Sequence, residues 1–337
     1  MSGHRQHDLI IIGAGPAALS AAIYTTREDI DTLIFEKGVI GGLAAITDWV
    51  DNYPGFKDGV AGLQLAEAMQ GQAERFGAKF ELGEVQSLGD TGQWKRLTTT
   101  SGDYLAKTVL IATGSAYKQL GIAGEQDYFG RGVHYCATCD GAFYRDKRLV
   151  VVGGGNSAVQ ESLFLTKFAS HIDMLVRSDR LRASEVLQQE LSRHADKITV
   201  HFNTTTERVV GGPPASGGKV TKVIGTDQKT GQTLEIATDG VFVFIGLLPN
   251  TGFLEGSGVL LDELGFIRTK PSLETDLPGV FAAGDVRSGA TLQIASATGE
   301  GATAALRIRE YLNEHAKSHA PTPSDSPSQP QPAVNPV

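Results

Sequence analysis

Two stretches of this chain follow one local plan: a short apolar strand, a glycine turn, then a helix. In the first, residues 8–12 run into Gly13-Ala14-Gly15-Pro16-Ala17-Ala18. In the second, residues 148–152 run into Gly153-Gly154-Gly155-Asn156-Ser157-Ala158. Short β-branched runs of this kind read as buried strands, and strand, glycines and helix in this order are what a dinucleotide site demands. The first glycine allows a tight turn, and the second lets backbone approach a pyrophosphate. A small residue after them, Ala18 or Ala158, permits close packing of helix on strand. A chain with two such units is expected to be an α/β protein.

Each unit continues into a second strand whose end faces the nucleotide. Residues 31–35 end at Glu36, a carboxylate placed for ribose hydroxyls. Residues 171–177 end at Arg177, with Arg182 nearby, and guanidinium groups suit a 2′-phosphate. The spacing almost repeats: Gly13 to Glu36, against Gly153 to Arg177. The first unit therefore points to a free ribose and the second to NADPH over NADH. Plainer readings are an ordinary βα turn for the glycines and a solvated helix start for the arginines. Glu185 is more simply a surface charge.

Just upstream of the second unit stands His134-Tyr135-Cys136-Ala137-Thr138-Cys139-Asp140. Cys136 and Cys139 are the chain's 2 cysteines. Thiols at this separation can close a small disulfide ring and reopen it without moving the fold. Asp140 can hand a proton to a departing thiolate or take one back. No metal is expected, because tetrahedral zinc needs four ligands and no second Cys-x-x-Cys or paired histidine exists. A structural disulfide fits poorly, since so short a loop restrains little of the unfolded chain. A thioredoxin-type domain is the nearer competitor, but the flanking sequence argues against it.

Between the units, Gly41-Gly42-Leu43 is followed by a turn, Asn52-Tyr53-Pro54-Gly55. Residues 62–76 read as a helix, and 79–107 as strands and turns before a strand at 108–112. Thr113-Gly114 is a second place where backbone can approach a cofactor. Residues 199–235 alternate around a Gly/Pro loop at 211–218, as antiparallel strands do. Residues 241–245 read as a buried strand, 246–250 as a turn, 279–285 as a strand ending in Gly284-Asp285, and 293–312 as a helix. The start of that helix could aim N–H groups at an electron-rich ring or a phosphate. Residues 318–337 hold six prolines and no apolar period, and read as a disordered tail. The net charge of −8 argues against a nucleic-acid partner, and no apolar run reaches membrane-spanning length. Few cysteines and a polar start without a signal peptide point to a cytoplasmic setting.

GAGPAA near the start, CATCDGAFYR followed by VVVGGGNSA, and GVFAAGDV near the end resemble the low-molecular-weight, bacterial-type thioredoxin reductases over about residues 8–312. The resemblance implies two Rossmann-like, three-layer ββα domains, one inserted in the other. Residues 8–117 plus 246–314 would form an FAD domain, and 118–245 an NAD(P)H-type domain carrying the cysteines. It implies FAD and NADPH as cofactors, Cys136, Cys139 and Asp140 as catalytic residues, thioredoxin or a thioredoxin-like protein as partner, and a homodimer. Cys139 would be the sulfur nearer the flavin, and Cys136 the one that attacks the partner. Implied FAD contacts are Gly13, Gly15, Pro16, Ala17, Glu36, Lys37, Gly41, Gly42, Asn52, Thr113, Gly114, Gly284, Asp285, Gln293 and Ile294. Implied NADPH contacts are Gly153, Gly155, Asn156, Ser157, Ala158, Arg177 and Arg182. The inserted domain is implied to rotate about links near Tyr117 and Gly246, so the dithiol alternates between flavin and solvent.

Three positions depart from the family pattern. The His-Arg-Arg run usual in NADPH-using members reads Val176-Arg177-Ser178, with Arg182 at the later arginine, which halves the phosphate clamp. The Arg-Gln pair that opens the last helix reads Leu292-Gln293, and the glutamine after Gly41-Gly42 reads Leu43. Losing one charged phosphate contact costs on the order of 1.5–3 kcal/mol, about ten- to a hundredfold in Kd. Some relatives take electrons from ferredoxin, so ferredoxin stands as the alternative donor. A dithiol oxidase is the alternative reaction direction, and a flavin-binding sensor is the non-enzyme reading. The intact CATCD sequence and the retained Gly153, Gly155 and Ala158 favour the NADPH-fed reductase.

Overall fold

The computed structural model describes residues 5–47 and 49–318. The expected tail lies outside the described residues, apart from Ser318, which ends a helix.

Each glycine-turn unit sits in its own parallel sheet. The first sheet runs Lys79–Leu82, Thr32–Glu36, Arg5–Ile12, Gly102–Ile111, Val280–Ala282. Its central strands are apolar on both faces, as parallel strands covered on both sides must be. Leu9, Ile11, Ile34 and Leu110 face helices Pro16–Thr26 and Ile294–Ser318. Ile10, Ile12, Phe35 and Ile111 face the opposite way, toward Val85, Leu88 and Leu97. The strand expected at 108–112 is longer, because its first half pairs antiparallel with Lys95–Thr99, which pairs in turn with Val85–Asp90. Helices, parallel sheet and meander are the three layers that the resemblance implies.

The second sheet runs Ile198–His201, His171–Leu175, Arg148–Val152, Gly240–Val243, Val133–His134, all parallel. Leu149, Val151 and Met174 pack under helix Asn156–Leu165. Val150, Val152 and Val241 pack under three antiparallel strands, Thr204–Gly211, Val220–Asp227 and Thr233–Ala237. The Gly/Pro loop joins the first two of these, as its composition suggests.

The chain passes from one sheet to the other and back through Ser115–Tyr117 and Leu247–Pro249. These segments pair antiparallel, Leu247 opposite Tyr117 and Pro249 opposite Ser115. Residues 246–250 are therefore not a simple turn. Gly246, at φ 113°, turns the chain, and the backbone groups beyond it find partners in the outgoing link. The last helix continues past Leu312, packing on helix Pro16–Thr26 by way of Gly301, where a Cβ would meet the Ala17 carbonyl oxygen at 2.1 Å.

Candidate active site

The first glycine turn is shaped by close backbone contacts. Gly13 has φ 94°, and a Cβ there would lie 2.5 Å from the Ala112 carbonyl oxygen. Gly15 is different: it precedes helix Pro16–Thr26 at φ −75°, no side chain caps that helix, and a Cβ on Gly15 would meet nothing within 4 Å. Bare N–H groups at a helix start facing open space suit an anion. Pro16 is the first helical residue, where its missing N–H costs nothing. Ala17 and Ala18 are buried beneath it.

Glu36 reaches back to this turn. Ala14 N donates to its Oε2 at 2.8 Å, and Gly38 N to its Oε1 at 2.7 Å. Each oxygen keeps a lone pair for a further donor. Lys37 turns aside to pair with Glu84 at 3.1 Å. Gly41 N donates to the Ala14 carbonyl at 2.8 Å, and a Cβ on Gly42 would lie 3.6 Å from Gly15 Cα, so the two glycine turns touch. Thr113 sits against Gly13, and Thr113 and Gly114 are tied to Asn250 across the interlink pair, with Asn250 Nδ2 donating to Thr113 O at 2.8 Å and Asn250 N to Gly114 O at 3.1 Å. Asn52 Nδ2 donates to Gln293 Oε1 at 3.1 Å, beside the helix start at Ile294. Gly284 N donates to Glu300 Oε2 at 2.7 Å. Burial, and then the Glu300 charge, push Asp285 up to about 6. One rim thus gathers residues from the beginning, middle and end of the chain.

The second turn repeats the first. Gly153 has φ 144°, and a Cβ there would lie 2.4 Å from the Phe244 carbonyl oxygen. Gly155 is at φ −92° with nothing within 4 Å, ahead of an uncapped helix that begins Asn156-Ser157-Ala158. Asn156 Oδ1 accepts from Ser184 N at 2.8 Å, which fixes the loop carrying Arg182. Arg177 and Arg182 are exposed, and their guanidinium groups have no partner among the described residues.

Cys136 and Cys139 form a disulfide at a Cα separation of 5.3 Å, around the short helix Ala137–Asp140. Both cysteines are half-buried. The pair follows edge strand Val133–His134 of the second sheet. Tyr135, just before it, stacks on Tyr117 of the outgoing link with ring centroids 5.2 Å apart. Burial first, and then the charges of Asp285, Asp140 and Glu161, push the Tyr117 phenol up to about 12. Ring stacking thus joins the segment that carries the dithiol to the outgoing link between the two sheets.

Sequence reasoning passed over several residues that hold this arrangement. Glu125, 1% exposed, accepts from Leu120 N, Gly121 N and the Tyr135 hydroxyl. Glu300 also takes Arg287. Glu300 stands alone as an acid within the Ala/Gly-rich start of the last helix, a signal that was there to use. For Glu125 no local signal exists.

Residues 7–301 match the pyridine nucleotide-disulphide oxidoreductase family. The chain is 42% identical over 314 residues to the thioredoxin reductase of Bacillus subtilis, covering 93% of this chain and 97% of that one. Thioredoxin reductase from Streptococcus pyogenes superposes with a TM-score of 0.87 at 39% identity, covering 93% of this chain and 100% of that one. A Lactococcus lactis thioredoxin reductase, described as in the FR conformation, gives 0.62 at 38% identity over 91% and 99%. Among the described residues no helix is long and apolar enough to cross a membrane. With its disulfide set between two dinucleotide-type turns, the chain belongs to the pyridine nucleotide-disulphide oxidoreductase family, as an enzyme of the thioredoxin-disulfide reductase type.

Proposed function

We propose that the chain carries electrons from NADPH to the Cys136–Cys139 disulfide and on to thioredoxin, as a cytoplasmic homodimer. The family uses FAD and NADPH, which supply hydride chemistry when bound. The residues present fit both: two uncapped helix starts, each behind a glycine that leaves open space, and each with its own reading group. FAD is assigned to the sheet of residues 8–117 plus 246–314, on Gly13, Gly15, Glu36, Gly42, Thr113, Gly284, Asp285 and the helix start at Gln293. NADPH is assigned to residues 118–245, on Gly153, Gly155, Asn156, Arg177 and Arg182.

The observation that carries the reading is the half-buried Cys136–Cys139 disulfide with Asp140 directly after it, at the edge strand of the second sheet. In this arrangement Cys136 attacks the acceptor disulfide, Cys139 resolves the mixed disulfide, and Asp140 moves the proton. The acceptor must reach the sulfurs, so the links Ser115–Tyr117 and Leu247–Pro249 are proposed as the hinge. Two relatives of similar identity and coverage superpose at 0.87 and 0.62, which supports one set of parts in two arrangements.

A second donor has one observation in its favour. Val176 is buried and Ser178 is short, so Arg177 and Arg182 remain as the positive groups placed for a 2′-phosphate. Reduced ferredoxin is the alternative. Anaerobic titration of the flavoprotein with NADPH, NADH and reduced ferredoxin, side by side, tests the donor. Bleaching by NADPH within the turnover time is expected; a flavin left oxidised by excess NADPH removes that donor.

A further inference from the structure

Beside the disulfide lies a group that the reaction as proposed does not use. His134 ends strand Val133–His134 and is 7% exposed. Its ring stacks on Phe242, centroids 5.2 Å apart, and meets Tyr144 edge-on at 5.3 Å. A buried imidazole needs partners for its nitrogens. Nε2 lies 2.7 Å from the Tyr144 hydroxyl, and Nδ1 lies 3.3 Å from Asp140 Oδ2. Oδ1 of Asp140 has no partner among the described residues. Tyr144 is itself fixed, since a Cβ on Gly240 would meet its ring at 2.5 Å.

We infer that His134, held by Tyr144, is the positioning residue for Asp140 in proton handling at the dithiol. The inference rests on the disulfide-reductase reading. Without His134 the Asp140 carboxylate can rotate into solvent; with it, Oδ2 has Nδ1 at 3.3 Å and Oδ1 stays unpartnered among the described residues. The chemistry balances as ordinary exchange. Cys136 sulfur bonds to the acceptor disulfide, whose S–S bond breaks and expels one thiolate. Cys139 gives its proton to Asp140 and bonds to Cys136 sulfur, expelling the second thiolate. Two electrons pass from the dithiol to the acceptor. Asp140 returns its proton to the leaving thiolate, and the proton of Cys136 passes to solvent or to the first thiolate.

Asp140 is the sole ion-pair partner of His134 among the described residues. The surrounding titratable groups are Asp239, paired with Lys147 at 3.7 Å and facing Tyr144, and then Tyr117, Glu161 and Asp285 on the Asp140 side. None of these is altered by the substitutions below.

The full chain with its cofactor is reduced with dithiothreitol, freed of reductant and mixed rapidly with 5,5′-dithiobis(2-nitrobenzoate) between about pH 5 and pH 9. A positioned proton carrier contributes roughly 10²–10⁴ in rate, and losing its alignment should forfeit part of that. His134→Phe keeps the stacked ring and removes both nitrogens. Its second thiolate release should slow about tenfold at neutral pH, with an altered pH profile and the first release unchanged. Tyr144→Phe should move in the same direction by about two- to threefold. An unchanged profile in a folded His134→Phe protein overturns the inference. Should that variant not fold, His134→Leu, which also removes both nitrogens, takes its place: a shifted profile supports the inference and an unchanged one overturns it. A wild-type protein that reduces no acceptor sinks the disulfide-reductase reading instead.

Discussion

The two glycines of the first turn should fail in opposite ways. Gly13→Ala places a methyl 2.5 Å from the Ala112 carbonyl oxygen and 2.9 Å from its carbon, at φ 94°. Backbone cannot rotate away as a side chain can. A non-glycine residue in that region costs about 1–3 kcal/mol, and overpacking adds about 1–3 more. Against a typical stability of about 5–15 kcal/mol, that loss of roughly 2–6 kcal/mol is severe. Gly15→Ala sits at φ −75° and ψ −178° with no atom within 4 Å. Alanine adopts that conformation freely, so apoprotein stability should hold or rise by up to about 1 kcal/mol. The methyl instead enters the space assigned to a pyrophosphate. A cost of about 1–3 kcal/mol there raises the FAD Kd about five- to 150-fold. Thermal unfolding of apoprotein and quenching of FAD fluorescence separate the two effects. If Gly15→Ala binds FAD as tightly as wild type, the open space is not a phosphate seat and the assignment of the first unit is wrong.

The second turn gives the parallel case: Gly155→Ala should leave flavin content intact and weaken NADPH binding by a similar factor, measured by flavin bleaching against nucleotide concentration. Cys139→Ser should retain attack through Cys136 and accumulate a mixed disulfide with thioredoxin, seen as a mass adduct; Cys136→Ser should form none. Arg177→Ala should raise the NADPH Kd about tenfold or more and leave NADH unchanged, while Ser178→Arg should lower it; no response to either argues for a non-nicotinamide donor. Asp285 binds its proton more tightly in the folded protein than its ordinary 3.8, up to about 6. The folded apoprotein therefore loses stability relative to Asp285→Asn as pH rises from about 4 to 6, and the full difference of about 1–3 kcal/mol persists above that window. Melting temperatures of both proteins across this range check the sign; a difference that shrinks on raising the pH refutes it.

Features of the fold and site that depend on neighbouring residues were legible in the sequence. Both strand–turn–helix units, the glycines at their turns, the position of the Cys-x-x-Cys and the Gly/Pro loop between antiparallel strands were all in the order of residues. Those signals are local: a left-handed glycine, a β-branched run or a thiol spacing is set by residues a few positions apart. Element ends shifted where tertiary pairing extended them, as at Gly102–Ile111 and Leu247–Pro249. The latter read as a turn because its pairing partner, Ser115–Tyr117, lies far back along the chain.

The sequence by itself determined that this chain builds two glycine-turn units and one redox-capable pair of sulfurs, because steric freedom at glycine and the reach of a short loop need no distant partner. Tertiary structure alone decided that Glu36 clasps the Ala14 amide, that Glu125 joins the amides of Leu120 and Gly121 to Tyr135, and that His134 stands between Tyr144 and Asp140. The reason is that a buried polar group takes whichever partner the packed elements bring within about 3 Å, and sequence distance has no bearing on that meeting.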